Sequence, residues 1–331
     1  MKKVLFIFLC LCLPSLASTQ PLTGTAASST GTWALAIHGG AGGSAKDKLS
    51  PEIEKLYRDS LSASLKIGTG ILSAGGTSMD AVEAVIRFME DCPLFNAGRG
   101  AVYNTEGLTE LDASVMDGKT GLAGAVAGVS TIRHPISASR KVMEKTRHVL
   151  LMGSGAEEFA AREGLEIVDP SFFHTPDRDS AYQRMLRQRK TGSAAGHGTV
   201  GCVALDRNGD LAAGTSTGGL MMKMKGRIGD SPIIGAGTFA DNSTCAVSGT
   251  GSGEYFIRNV VAYDISALMK YRHLSLKKAA DKVVMEKLKE KGGSGGVIAV
   301  DAKGNIAMPF NTALMFRGYA KENGEWEVET D

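Results

Sequence analysis

Residues 196–201 read GHGTVG and join a polar stretch to a strongly apolar one. A chain cut between Gly198 and Thr199 would expose a new N-terminal threonine. Its hydroxyl alone is a weak nucleophile, but the freed α-amino group, with a reference pKa of about 7.7–8.0, can act as its general base. A threonine that merely begins a β-strand gives the same pattern, so the residues alone leave both readings open. Two glycine-rich loops add further chemistry. HGGAGG (38–43) lacks the Lys-Ser/Thr of a phosphate loop, and SGTGSGE (248–254) lacks the G-x-G-x-x-G frame with an acid some 20 residues on. The amides of the second can still form an anion- or oxyanion-binding concavity. His38 and His197 sit beside glycines, where a histidine is either functional or a satisfied structural residue. No CxxC, HExxH or Cys/His cluster exists, so a zinc site has no support.

These residues need elements to hold them. TWALAIHGGAGG reads as a buried strand entering a glycine turn, and a helix is predicted from Pro51 to Leu72 with Ser50 as N-cap. Ser78 opens a second helix that ends before Pro93, and 108–132 reads as a hairpin around Asp117-Gly118-Lys119. Short helices follow at 137–146 and 154–163. Residues 169–196, with two prolines and a basic cluster, read as an exposed linker ending at the candidate cleavage point. Beyond it come hairpins around Asn208-Gly209 and Gly304, separated by helical stretches at 254–272 and 275–290. Hairpins rather than crossovers predict an α+β fold of antiparallel sheets with helices packed outside.

Composition sets the class. Of 331 residues, 43% are hydrophobic and 22% charged, which describes a folded globule. The 42 glycines carry no Gly-x-y period, so they mark turns and close approaches. Residues 1–17, MKKVLFIFLCLCLPSLA, read as a signal peptide, with an apolar run shorter than the roughly 20 residues of a membrane span. That predicts an exported protein, periplasmic or secreted, with no membrane attachment after signal removal. Without Lys2 and Lys3 the basic residues equal the 35 acidic ones, so nucleic acid is excluded as a partner. The remaining cysteines, Cys92, Cys202 and Cys245, are odd in number and do not form a disulfide framework.

Seven motifs in order carry a family resemblance: HGGAGG (38–43), PLFNAGRGAVYN (93–104), ELDASVMDG (110–118), GHGTVGCVALD (196–206), GTSTGG (214–219), GRIGDSPIIGAG (226–237) and SGTGSGE (248–254). From about Trp33 to Arg317 the chain resembles the plant-type asparaginase/isoaspartyl aminopeptidase family of N-terminal-nucleophile hydrolases. The resemblance implies a four-layer αββα sandwich made from an α subunit (18–198) and a β subunit (199–331), formed by self-cleavage between Gly198 and Thr199. It implies Thr199 as nucleophile, Thr217 as its orienting partner, and Thr250 with Gly251 as the oxyanion hole. Arg227 would hold the substrate α-carboxylate and Asp230 its α-ammonium, with Ile228, Gly229, Ser252 and Gly253 completing the pocket. Asn96 resembles an auxiliary residue beside the nucleophile. Main-chain carbonyls of Met89, Glu90, Cys92, Phe95, Ala97 and Arg99 resemble the ligands of a structural sodium, and no catalytic cofactor is implied. The expected substrates are asparagine and β-aspartyl dipeptides, and the expected assembly is an (αβ)₂ dimer. Glycosylasparaginase is the enzymatic alternative, although Gly198 stands where those relatives carry aspartate. A secreted binding protein that never matures is the other.

Overall fold

The computed structural model describes Met1 and residues 31–42, 49–188 and 198–331; the leader at 1–17 and His197 lie outside the described residues. Strand parity builds the layers. In β1 (Ala34–Gly42), Leu35 and Ile37 face one way and Ala34 and Ala36 the other. Leu35 and Ile37 pack with α1 (Pro51–Ser73), α2 (Ser78–Asp91), α3 (Pro135–Lys145) and α4 (Gly153–Arg162). Ala34 and Ala36 join a core between two sheets, where small side chains let the sheets approach.

The larger sheet also contains β2 (Leu111–Asp117), β3 (Ala123–Val129), β4 (Leu150–Met152), β5 (Val200–Leu205), β6 (Leu211–Thr217), β11 (Leu314–Lys321) and β12 (Trp326–Glu329). Its order is β12-β11-β1-β5-β6-β2-β3-β4. The smaller sheet uses β7 (Thr238–Ala240), β8 (Cys245–Gly251), β9 (Gly295–Asp301) and β10 (Ile306–Ala307), in the order β10-β9-β8-β7. Its outer face packs on α6 (Gly253–Asn259), α7 (Val261–Arg272) and α8 (Leu276–Asp281), which runs on as a π-helix over Lys282–Leu288. The result is the expected αββα sandwich. One detail differs: β3 and β4 pair in parallel at the sheet edge.

The linker expectation is corrected. Residues 170–173 form a 3₁₀ turn and Pro176–Gln188 is helix α5, so the described part of that stretch is helical and tethered at its start, although α5 itself buries none of its side chains. Phe173 is fully buried, His174 stacks on Tyr103, and Arg178 donates to the carbonyls of Gly100 and Leu94. Its two prolines open helical segments, where a missing N–H costs nothing, rather than breaking them. The predicted 254–272 helix is likewise split, because Val260 adopts a left-handed conformation between α6 and α7.

Candidate active site

Thr199 immediately precedes β5 and is 7% exposed. β5 lies between β1 and β6, so both neighbours contribute to its surroundings. His38 on β1 places Nδ1 3.1 Å from the Thr199 carbonyl oxygen and Nε2 3.0 Å from Ser248 Oγ. A carbonyl only accepts, so Nδ1 donates and Nε2 accepts from the serine. Burial pushes the imidazole down to about 3, which keeps it neutral. His38 is therefore a satisfied structural histidine. Beyond it, Ser248 contacts Thr215 at 2.7 Å, Thr238 donates to Thr215 at 2.6 Å, and Ser114 lies 2.7 Å from Thr238 and donates to the Ser231 carbonyl. This buried chain ties the Thr199 strand to the segment that carries Asp230. Gly201 must lack a side chain, since a Cβ there would collide with both His38 and Ser248.

Three donors converge on the Gly198 carbonyl oxygen: Asn96 Nδ2 at 2.7 Å, Thr199 Oγ1 at 2.8 Å and Thr217 Oγ1 at 3.1 Å. Thr217 Oγ1 also lies 3.1 Å from Thr199 Oγ1 and accepts from the Gly219 amide at 3.0 Å. Asn96 is fixed at both ends, with Oδ1 accepting from the Val102 amide and Nδ2 also donating to the Gly219 carbonyl. Behind the bond, Gly40 packs so closely that a Cβ would meet Gly198 Cα at 2.9 Å.

A cleft opens over this bond, lined among others by Thr199, Thr217, Arg227, Gly229, Asp230 and Gly251. Arg227 and Asp230, three residues apart, both reach it. Asp230 is fully enclosed, and its Oδ2 meets no donor among the described residues. Burial pushes its carboxyl up to about 7, although Arg227 pulls the other way. Such a carboxylate is built to receive a cation. Thr250 is buried and its Oγ1 accepts from the Ala41 amide at 3.1 Å, which leaves the hydroxyl proton to donate elsewhere.

The remaining expected residues divide. Gly253 sits where a Cβ would meet Arg227 Nη2 and Asp230 Oδ1, each at 2.8 Å. Ser252 turns its hydroxyl to Ser294, and Ile228, Thr250, Ser252 and Gly253 do not line the cleft. In the 89–99 loop, Glu90 O and Phe95 O crowd Gly98 and Gly100, where any Cβ would collide. Glycine is therefore required where those carbonyls gather, which fits a main-chain cation cage. Among the described residues no group of three or more His, Cys, Asp or Glu is placed to hold a metal. Sequence reasoning missed Gly219, Leu220 and Ser231 in the cleft wall and the Ala41 amide on Thr250. HGGAGG was the signal available for Ala41.

A threonine at the head of a strand, facing a cleft in an αββα sandwich, is the plan of an N-terminal-nucleophile hydrolase. The chain belongs to the asparaginase family, whose model matches residues 31–330, and it is a hydrolase of that family. It is 52% identical over 300 residues to the isoaspartyl peptidase of Salmonella typhimurium, covering 86% of this chain and 95% of that one. The isoaspartyl peptidase of Escherichia coli is 51% identical over 300 residues, covering 86% and 92%. The plant-type L-asparaginase of Pyrobaculum calidifontis is 38% identical over 303 residues, covering 89% and 99%. These relatives overturn the expectation of a periplasmic or secreted location. The finding that stands against it is that these bacterial relatives are isoaspartyl peptidases.

Proposed function

We propose that this chain is a self-cleaving threonine amidohydrolase that splits β-aspartyl dipeptides and converts L-asparagine to aspartate and ammonia. The observation that carries the reading is the convergence of Asn96, Thr199 and Thr217 on the Gly198 carbonyl. In maturation, Thr199 Oγ attacks the Gly198 carbonyl carbon, and Asn96 and Thr217 stabilise the oxyanion. The C–N bond breaks, the Thr199 nitrogen takes the proton, and water hydrolyses the resulting ester to leave a free Thr199 amine.

In turnover that amine takes the hydroxyl proton, and Thr199 Oγ attacks the substrate's side-chain carbonyl. The Thr250 hydroxyl and the Gly251 amide receive the developing negative charge, each such donor being worth ~2.7–4 kcal/mol. The Thr199 amine returns that proton to the leaving nitrogen, the C–N bond breaks, and ammonia, or the amine of the dipeptide's second residue, leaves. Water then hydrolyses the β-aspartyl ester to aspartate. Arg227 holds the α-carboxylate and Asp230 the α-ammonium, so the substrate arrives as a zwitterion. Carbonyls of Met89, Glu90, Cys92, Phe95, Ala97 and Arg99 would hold a sodium ion that stiffens the loop presenting Asn96. The active assembly is an (αβ)₂ dimer of the two chains formed by cleavage between Gly198 and Thr199.

The test is aspartate release from L-asparagine and from a β-aspartyl dipeptide. Thr199→Ala should release none from either. Release at the parental rate by that variant would remove Thr199 as nucleophile.

A further inference from the structure

Arg227 presents two edges, and one is already occupied. Its Nε and Nη2 donate to Glu254 Oε1 and Oε2 at 2.9 and 3.0 Å, a bidentate pair. Its Nη1 donates to none of the described residues and lies towards the cleft wall. There, a Cβ at Gly229 would meet it at 2.7 Å and one at Gly219 at 3.5 Å. On the Nη2 side a Cβ at Gly253 would stand at 2.8 Å. A Cβ at Gly229 or Gly253 would force the guanidinium to shift, and Glu254 holds its Nε/Nη2 edge. The guanidinium side chain is 15% exposed, whereas Glu254, in the first turn of α6, is 54% exposed. An ion pair that open contributes little to stability. What it fixes is direction.

We infer that Glu254 is a positioning residue for substrate recognition: it pins the Nε/Nη2 edge of Arg227 so that the Nη1/Nη2 edge faces the substrate α-carboxylate. This rests on the assignment of Arg227 to the α-carboxylate. A free arginine would sample many rotamers, and each lost orientation weakens a fork that must meet two oxygens at once. The two carboxylates take different edges, so Glu254 aims the arginine without competing for it. Glu254 acts through Arg227, so its effect belongs to binding.

The experiment measures kcat and KM for L-asparagine with the matured Glu254→Ala, Glu254→Gln, Arg227→Ala and doubly substituted enzymes. Glu254→Ala should raise KM about tenfold or more with kcat within about threefold, and Glu254→Gln, which keeps one acceptor, should fall between it and the parent. In the Arg227→Ala background, adding Glu254→Ala should change kcat/KM by less than about twofold, because there is no guanidinium left to aim. A parental KM in Glu254→Ala alongside a raised KM in Arg227→Ala would overturn the inference while leaving Arg227 in place. Fully additive losses would also overturn it, placing Glu254's effect elsewhere. Failure of both Glu254 variants to mature would assign the residue to folding instead. A parental KM in Arg227→Ala would instead sink the assignment of Arg227 itself.

Discussion

At the scale of single residues, the site is a set of groups whose remaining hydrogen-bonding capacity points at the chemistry. Asn96 spends its oxygen on Val102 and aims its nitrogen at Gly198 O. Asn96→Ala should therefore slow maturation about 10²–10³-fold, as loss of an oxyanion donor does, read as the rate at which the full-length band disappears. Cleavage at the parental rate would take Asn96 out of that role. Asp230 makes a pH prediction. With its carboxyl near 7 in the unliganded fold, it must ionise to hold an ammonium group, so KM for asparagine should rise as pH falls through about 7. The Thr199 amine acts after binding, so its own acid limb should appear in kcat. A KM that stays flat from pH 6 to 8 would contradict the assignment of Asp230.

The same carboxyl affects stability. Its pKa is raised in the fold above the usual 3.8, so the native state binds the extra proton between those values. Stability from this group is therefore greatest below pH 3.8 and declines as pH rises towards 7. Asp230→Asn should melt at a higher temperature than the parent at pH 8, with the gap closing towards pH 4, even though it binds asparagine poorly. A variant no more stable than the parent at pH 8 would show that the buried charge is compensated in the free enzyme.

At the scale of elements, the sequence was legible where period and turn chemistry agree. β1, α1 with its Ser50 cap, α2, and the hairpins around Asp117 and Asn208 fall where the pattern puts them. It was illegible where tertiary contacts override a polar composition. Helix α5 carries few apolar residues, and its neighbourhood is held by Phe173, the His174–Tyr103 stack and the reach of Arg178 to Gly100, none of which has a periodic signature. Phe173→Ala should cost about 3–5 kcal/mol and lower the melting midpoint, measured by thermal denaturation. An unchanged midpoint would restore the exposed-linker reading of 169–188. The site divides in the same way. Thr199, Thr217, Arg227 and Asp230 were readable because motifs name side chains. The Ala41 amide and the closeness of Gly229 and Gly253 to Arg227 were not, because backbone groups and missing side chains acquire meaning only from what lies opposite them.

At the scale of the whole molecule, the two facing sheets bring β1, β5 and β6 of one and β8 of the other close to the Gly198–Thr199 bond. The Gly198–Thr199 bond enters that frame backed by Gly40, with the His38–Ser248–Thr215 chain anchoring the strand that follows. Cleavage there would free an amine without dismantling the sheet, because β5 stays paired with β1 and β6 on either side. If the fold cuts itself at this bond, intact mass and N-terminal sequencing of the purified protein will show two chains, one beginning at Thr199, and a single uncut chain for Thr199→Ala. A Thr199→Ala protein cut at the same bond, or a fully active parent that remains one chain, would contradict it.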